Sequence, residues 1–251
     1  MLTVADLKVD TAERAIFGER RARYDQAAQA HLKKHFKDEF AAHGPDVTDR
    51  FIAQCYSTAT SFGVERWCDH LSYLTVAVYL GAQFPRDPQH ANRLRRAGWR
   101  GRQAARDMEA LTVGVQHWQS LAALDVETPD TGFAYLADAM SHWLVELDTP
   151  SAEEITDVLK MVWPNRTVVL DPVDLMEFSA AARQFASTLE LFGADTYVFA
   201  VLAFHLGLRF TQDPRYGELA AALHPDKRSV MTRRSDVVGA IITTIEKGAG
   251  S

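Results

Sequence analysis

Leu80-Gly81-Ala82-Gln83-Phe84-Pro85-Arg86-Asp87-Pro88 is answered 126 residues later (207 − 81) by Leu206-Gly207-Leu208-Arg209-Phe210-Thr211-Gln212-Asp213-Pro214. Both stretches read Leu-Gly-x-x-Phe-x-x-Asp-Pro. In each, an apolar run stops at a glycine, which accepts the left-handed conformation that closes a helix. Each restarts at Asp-Pro, because aspartate caps a helix and proline suits its first position, where no backbone donor is needed. Upstream, Phe62-Gly63 has a counterpart in Phe192-Gly193, and Phe36 in Trp163. The two glycines of a copy stand 18 residues apart in the first (81 − 63) and 14 in the second (207 − 193). Four residues are about one helical turn, so the apolar face stays in phase.

Helical periodicity governs the rest of the chain. From Arg14 to Ala42 the positions Phe17, Tyr24, Ala28, Leu32 and Phe36 keep one apolar stripe on one helix face. Gly44-Pro45 stops that helix, and Asp46 or Thr48 caps the next, running to Phe62. Glu65 to Leu80 predicts a nearly buried central helix with Trp67, Leu71, Leu74 and Val78 on its packed face. In the second copy Asp171-Pro172 opens a helix toward Phe192, and Tyr197 to Leu206 forms a shorter apolar one. Gln103 to Leu124 and Phe133 to Leu147 read as helices. Thr149-Pro150-Ser151-x-x-Glu154 carries a capping box that starts another, ending near Met161. Val168-Val169-Leu170 and Leu111-Thr112-Val113 have the length of short strands but no pairing partner. The expected fold is all-α: two related helical modules, an internal duplication, packed into one helical body. Module 1 spans 12–110, a connector 111–129 and module 2 130–245.

At 251 residues and 28.0 kDa the chain has enough length to bury a real core. A formal charge of −6 argues against a general nucleic-acid binder, and no run approaches the roughly 20 apolar residues of a bilayer span. The start, Met1 to Asp6, lacks the basic and apolar regions of a secretory signal. Cys55 and Cys68 make neither a disulfide framework nor a zinc site, which points to the cytoplasm and reduced thiols.

Candidate chemistry is thin. His31 and His35 share a helix face, but Lys33 and Lys34 beside them oppose a cation, so no metal site is expected. Asp69-His70 and Asp138/His142 pair a carboxylate with a histidine, as a general base needs, yet no serine or cysteine stands in a nucleophile turn. Ion pairing explains both, and Cys55 and Cys68 read as small buried residues. Gly98-Trp99-Arg100-Gly101 lacks the length and preceding strand of a phosphate loop. No catalytic residue and no cofactor are assigned. The recurring aromatics Phe62, Trp67, Phe84, Phe192, Tyr197 and Phe210 read as core.

The strongest polar signal is Arg93, Arg95, Arg96, Trp99, Arg100, Arg102 and Arg106. Guanidinium forks bind carboxylate or phosphate bidentately, and a tryptophan among them is a suitable interface anchor. The run reads as a docking patch for an acidic protein or a phosphate group. Its bland alternative is a solvated connector paired with the chain's own Glu153, Glu154 and Asp157.

The block from Phe51 to Leu94, with Phe62-Gly63-Val64-x-Arg66, Leu80-Gly81-x-x-Phe84 and Asp87-Pro88-Gln89, resembles a group of small bacterial helical proteins. Members carry a Tyr-Gly-Ile…Glu-Arg…Leu-Gly-x-x-Phe-x-x-Asp-Pro pattern and are commonly encoded beside type VI secretion spike and effector genes. The likeness covers about the first hundred residues and, more loosely, the second copy; Phe62 stands where tyrosine is usual. It implies a non-enzymatic, protein-binding accessory role: an adaptor or chaperone for a secretion effector, or an immunity protein that neutralises a toxin. The partner is then another protein, recognised by an apolar groove between the modules with arginine steering. The competing class is an enzyme or small-ligand binder whose pocket holds His70, Asp69, His142 or Asp138.

Overall fold

Phe36 decides the shape of the N-terminal region. The chain, seen in a computed structural model that describes residues 4–96, 149–224 and 235–240, begins with α1 (Val4–His35). At Phe36 the backbone leaves helical geometry and the ring turns edge-on to Tyr79, 5.4 Å between centroids. The expected single helix is thus two, with α2 (Lys37–His43) ending at Gly44, whose φ of +78° only glycine adopts cheaply. There follow α3 (Pro45–Ser61), α4 (Trp67–Leu80), a 3-10 turn at Phe84–Arg86 and α5 (Pro88–Arg96). The second half comprises α6 (Ala152–Val162), α7 (Pro164–Val168), α8 (Pro172–Thr188) and α9 (Ala194–Leu206). Two 3-10 turns, Phe210–Gln212 and Pro214–Tyr216, then lead into α10 (Gly217–Leu223). Helix accounts for 82% of the described residues and none forms a strand, so the fold is all-α. Val168-Val169-Leu170 ends α7 and turns toward α8 rather than pairing as a strand. Leu111 to Val113 and the helices expected over 103–124 and 133–147 lie outside the described residues.

The apolar side chains collect into two cores. One draws only on residues 24–94, around Leu32, Phe51, Tyr73, Leu74 and Phe84. The other draws only on residues 155–237, around Trp163, Phe178, Phe199, Phe204 and Phe210. The capping box is present: Ser151 Oγ accepts from Glu154 N, and a Glu154 carboxylate oxygen accepts from Ser151 N.

Local geometry recurs between the halves, with a register that the residue identities disguise. α3 and α8 are both 17 residues long and begin 127 residues apart (172 − 45). α3 closes with Phe62 N to Thr58 O, Gly63 N to Thr60 O and Val64 N to Ala59 O. α8 closes with Leu189 N to Phe185 O, Glu190 N to Ser187 O and Leu191 N to Ala186 O. Gly63 has φ +81° and Glu190 φ +56°. In backbone geometry it is Leu189-Glu190, not Phe192-Gly193, that matches Phe62-Gly63. Phe192-Gly193 instead leads into α9, which begins at Ala194, not Tyr197. The central helices are 14 and 13 residues long, so the second is one residue shorter, not four. Ring pairs follow the same register: Tyr73–Phe84 at 4.9 Å with Phe199–Phe210 at 5.5 Å, and Phe36–Tyr79 with Trp163–His205 at 5.1 Å.

Glu190 holds a left-handed conformation that disfavours a side chain by about 1–2 kcal/mol. Glycine there costs more backbone entropy on folding, which offsets part of the relief. Glu190→Gly is expected to raise the unfolding free energy by about 0.5–1 kcal/mol in urea titration. A loss of stability would show that the glutamate side chain outweighs the strain.

Candidate functional site

The two Leu-Gly stretches meet at a seam between the halves. A methyl group on Gly207 would lie 2.9 Å from Leu80 O, and one on Gly81 would lie 3.3 Å from Leu206 O. Both glycines have positive φ, +95° for Gly207 and +86° for Gly81, so each disfavours a side chain by conformation, and Gly207 excludes one by space as well. The contact is reciprocal: each glycine meets the carbonyl of the residue preceding the other.

Polar side chains lock this approach. Asp87 Oδ1 accepts from Gln89 N at 3.0 Å, capping α5, while Oδ2 crosses the seam and accepts from Leu208 N at 2.7 Å. Gln54 Nε2 donates to Gln212 O and Gln83 Nε2 to Gln212 Oε1, at 2.9 and 2.8 Å. Asn92 Nδ2 donates to Asp174 and Glu177 on α8. The deepest group is Arg215, its side chain 1% exposed. It pairs with Asp213 through Nη2 at 2.8 Å and Nε at 3.1 Å, and Nη1 donates to Val78 O at 2.7 Å. Its Nη2 also faces Ala77 O at 3.3 Å, and Cζ lies 4.2 Å from the Phe51 ring centre. A cation from one half thus holds the last carbonyls of α4, where the helix carries negative partial charge. In the other half Phe204 O, the match of Val78 O, and the next carbonyl, His205 O, face Arg166 Nη1 at 3.3 and 3.4 Å. There the cation comes from the same half.

Burial tunes the titratable groups. Asp87 is pushed up to about 6 by desolvation, against the two backbone N–H groups that favour its anion. Burial, with Arg166 nearby, drives the His205 imidazole well below its ordinary value, so it is neutral at pH 7. The Cys55 thiol, beneath Asp213 and Arg215, is raised and inert. Two cavities flank the glycine contact, one lined by Gln54, Asp87 and Asp213, the other by His90, Arg166 and His205. Each is about 10 Å³, room for about one water molecule. The expected apolar groove between the halves is closed here by backbone contact and hydrogen bonds.

The predicted docking patch is seen only in part. Arg93, Arg95 and Arg96 lie on α5, and Arg95 is exposed. Trp99, Arg100, Arg102 and Arg106 lie outside the described residues, as do Asp138 and His142. Two of the acids offered as partners for the arginines are engaged locally, Glu154 in its capping box and Asp157 with Lys160 at 3.2 Å. Asp69 and His70 diverge. Asp69 takes two hydrogen bonds from Arg66, at 2.8 and 2.9 Å, while the His70 ring stacks on Tyr56 at 4.4 Å and meets Tyr24 edge-on. Successive helical residues point about 100° apart, which separates the two groups. His31 bonds Thr75 Oγ1 at 2.9 Å and sits 4.8 Å from the His35 ring. Among the described residues no group of three or more histidine, cysteine or acidic side chains could hold a metal. Three residues expected inside are outside: Cys68 is exposed, Trp67 is 62% exposed and Phe192 58%.

Sequence reasoning read Asp87 and Asp213 as helix caps, which they are, and missed that Asp87 also crosses between halves. Arg215 was not singled out. The available signal was its place two residues after the capping aspartate, where backbone and side chain reach the same carboxylate. No family model, curated protein or solved structure matches this chain.

Removing the cation while leaving Asp213 buried is costly. Arg215→Gln is expected to lower the unfolding free energy by about 3–5 kcal/mol, with part regained in Arg215→Gln/Asp213→Asn. Equal stabilities of the single variant and the parent would remove the pair from the account. Asp87 works in the opposite sense to a stabilising ion pair. Its folded pKa lies above the ordinary carboxylate value, so its contribution is full below about pH 4 and is lost as pH rises through about 6. The stability difference between the parent and Asp87→Asn should fall by roughly 2–3 kcal/mol from about pH 4 to pH 7. Parallel pH profiles would contradict it.

Proposed function

We propose that this chain is a non-enzymatic, protein-binding accessory protein built from two copies of one helical module. The shared cap geometry, the matched ring pairs and the reciprocal glycine contact support the two-copy reading. The single observation that carries protein binding is an apolar run left uncovered where α6, α7 and α8 join. Val168 is 83% exposed, Val173 61% and Met161 62%, with Val169 between them also exposed. Apolar side chains this close in the chain and this open to water are suited to burial by a partner. The divergence of Asp69 from His70 and the one-water size of the seam cavities support the non-enzymatic part. The resemblance of the Phe51–Leu94 block adds the context: an adaptor or chaperone for a type VI secretion effector, with an immunity protein as the second form of the same role. The partner is expected to present apolar side chains edged by acidic ones, the latter facing the arginines that begin on α5.

The test is capture by the full chain from its native host, followed by calorimetry with the purified partner. Val168→Asp/Val173→Asp changes exposed positions, so its thermal midpoint should stay within a few degrees of the parent's while partner affinity falls about tenfold or more. A partner bound equally well by both chains, or no stoichiometric partner, would overturn the assignment of this surface.

A further inference from the structure

The seam has the properties of an interface between two molecules. Among the described residues each half has its own apolar core with no residue shared, and backbone approach and polar bonds cross the seam. Its contacts are paired as in an isologous dimer: Gly81 meets Leu206 O and Gly207 meets Leu80 O. On a larger scale α3 packs on the turn at Pro214–Tyr216, and α8 packs on α5, the corresponding pair with roles reversed. Such a surface can be remade between chains without a new contact.

The arginines decide which halves can pair. In the register of the two Asp-Pro motifs, Gln89 occupies the place of Arg215. Two first halves would bring Gln89, shorter and neutral, to the α4 carbonyls that Arg215 holds. Two second halves would bring Arg215 to the carbonyl of Phe204, where Arg166 already lies. Two guanidinium groups would then face one buried carbonyl. Like halves are disfavoured in both combinations, and a first half fits a second half.

We propose that two copies of this chain exchange halves through the seam. The first half of each docks on the second half of the other, and the dimer contains two seams identical to the one in the monomer. A covalent tether keeps the halves of one chain at an effective concentration on the order of millimolar. Exchange therefore competes when the chain refolds at comparable protein concentration, and the monomer prevails on dilute refolding.

The test uses full-length chains in a Cys68→Ser background, which removes the exposed native thiol. Gln83→Cys and Gln212→Cys, placed on separate chains, are denatured, mixed, refolded together at high and at low concentration, and treated with a short bismaleimide. The expected product at high concentration is a cross-linked pair of one chain of each kind, scarce after dilute refolding. The double variant Gln83→Cys/Gln212→Cys should cross-link within one chain on dilute refolding, which shows that the probe spans the seam. Light scattering of the unmodified chain after the same concentrated refolding provides an independent reading, with a species of twice 28.0 kDa expected. A lone 28.0 kDa species overturns the proposal. So does a dimer whose Gln83→Cys and Gln212→Cys chains fail to link while the double variant closes, since that dimer pairs elsewhere.

Discussion

A guanidinium held almost wholly out of water must have its charge and its donors answered nearby, and Arg215 is answered from two places at once. Its own half supplies the Asp213 carboxylate and the other half supplies the carbonyls of Ala77 and Val78. Because the charge of α4's end and the charge of Asp213 converge on one group, the halves cannot separate without exposing or abandoning a buried ion. The glycine contact depends on the same closure. Backbones approach that closely only where neither residue carries a side chain, and Asp87 then spans from its own cap to Leu208 N. The seam is thus specified by backbone approach and buried polar bonds, beside two apolar cores that are packed separately.

Much of this architecture was legible in the sequence. The Leu-Gly and Asp-Pro punctuation located the ends of α4 and α9 and the starts of the elements after them, because the signals are local: a positive φ at glycine, a side-chain cap, a fixed proline φ. The capping box at Ser151 was readable for the same reason. The register between the halves was not, because Glu190 occupies the left-handed position that glycine fills at residue 63 and a Phe-Gly pair happens to follow close behind. Backbone hydrogen bonds reveal the match; residue identity conceals it. The break at Phe36 was likewise hidden: it coincides with a ring contact to Tyr79, remote in sequence. Arg215 belongs to the same class. Whether an arginine is solvated or buried depends on what the rest of the chain places around it, and Ala77 and Val78 lie far upstream.

The separation of cores from seam bears on function. In the proposed reading, partner recognition falls to apolar residues that internal packing leaves uncovered. Val168 and Val173 at the α6–α8 turn, with Trp67 and Phe192 at the entries to the two central helices, are such residues. Trp67 and Phe192 were expected in the core because they sit in repeated neighbourhoods, but each lies at the outer end of its helix, away from the glycine end that meets the seam. Repetition marks shared architecture, and burial follows only where both ends of an element are covered.

Two separately packed cores joined by a seam predict that the seam opens more readily than either core. Native-state hydrogen exchange, followed as a function of urea below the unfolding transition, tests it most directly. The amide of Leu208, bonded to Asp87 across the seam, should exchange through an opening that costs less free energy and depends less on urea than the openings exposing Leu74 and Phe199. One common opening free energy and one common urea slope for all three amides would show that seam and cores unfold as a single unit, and would contradict the account.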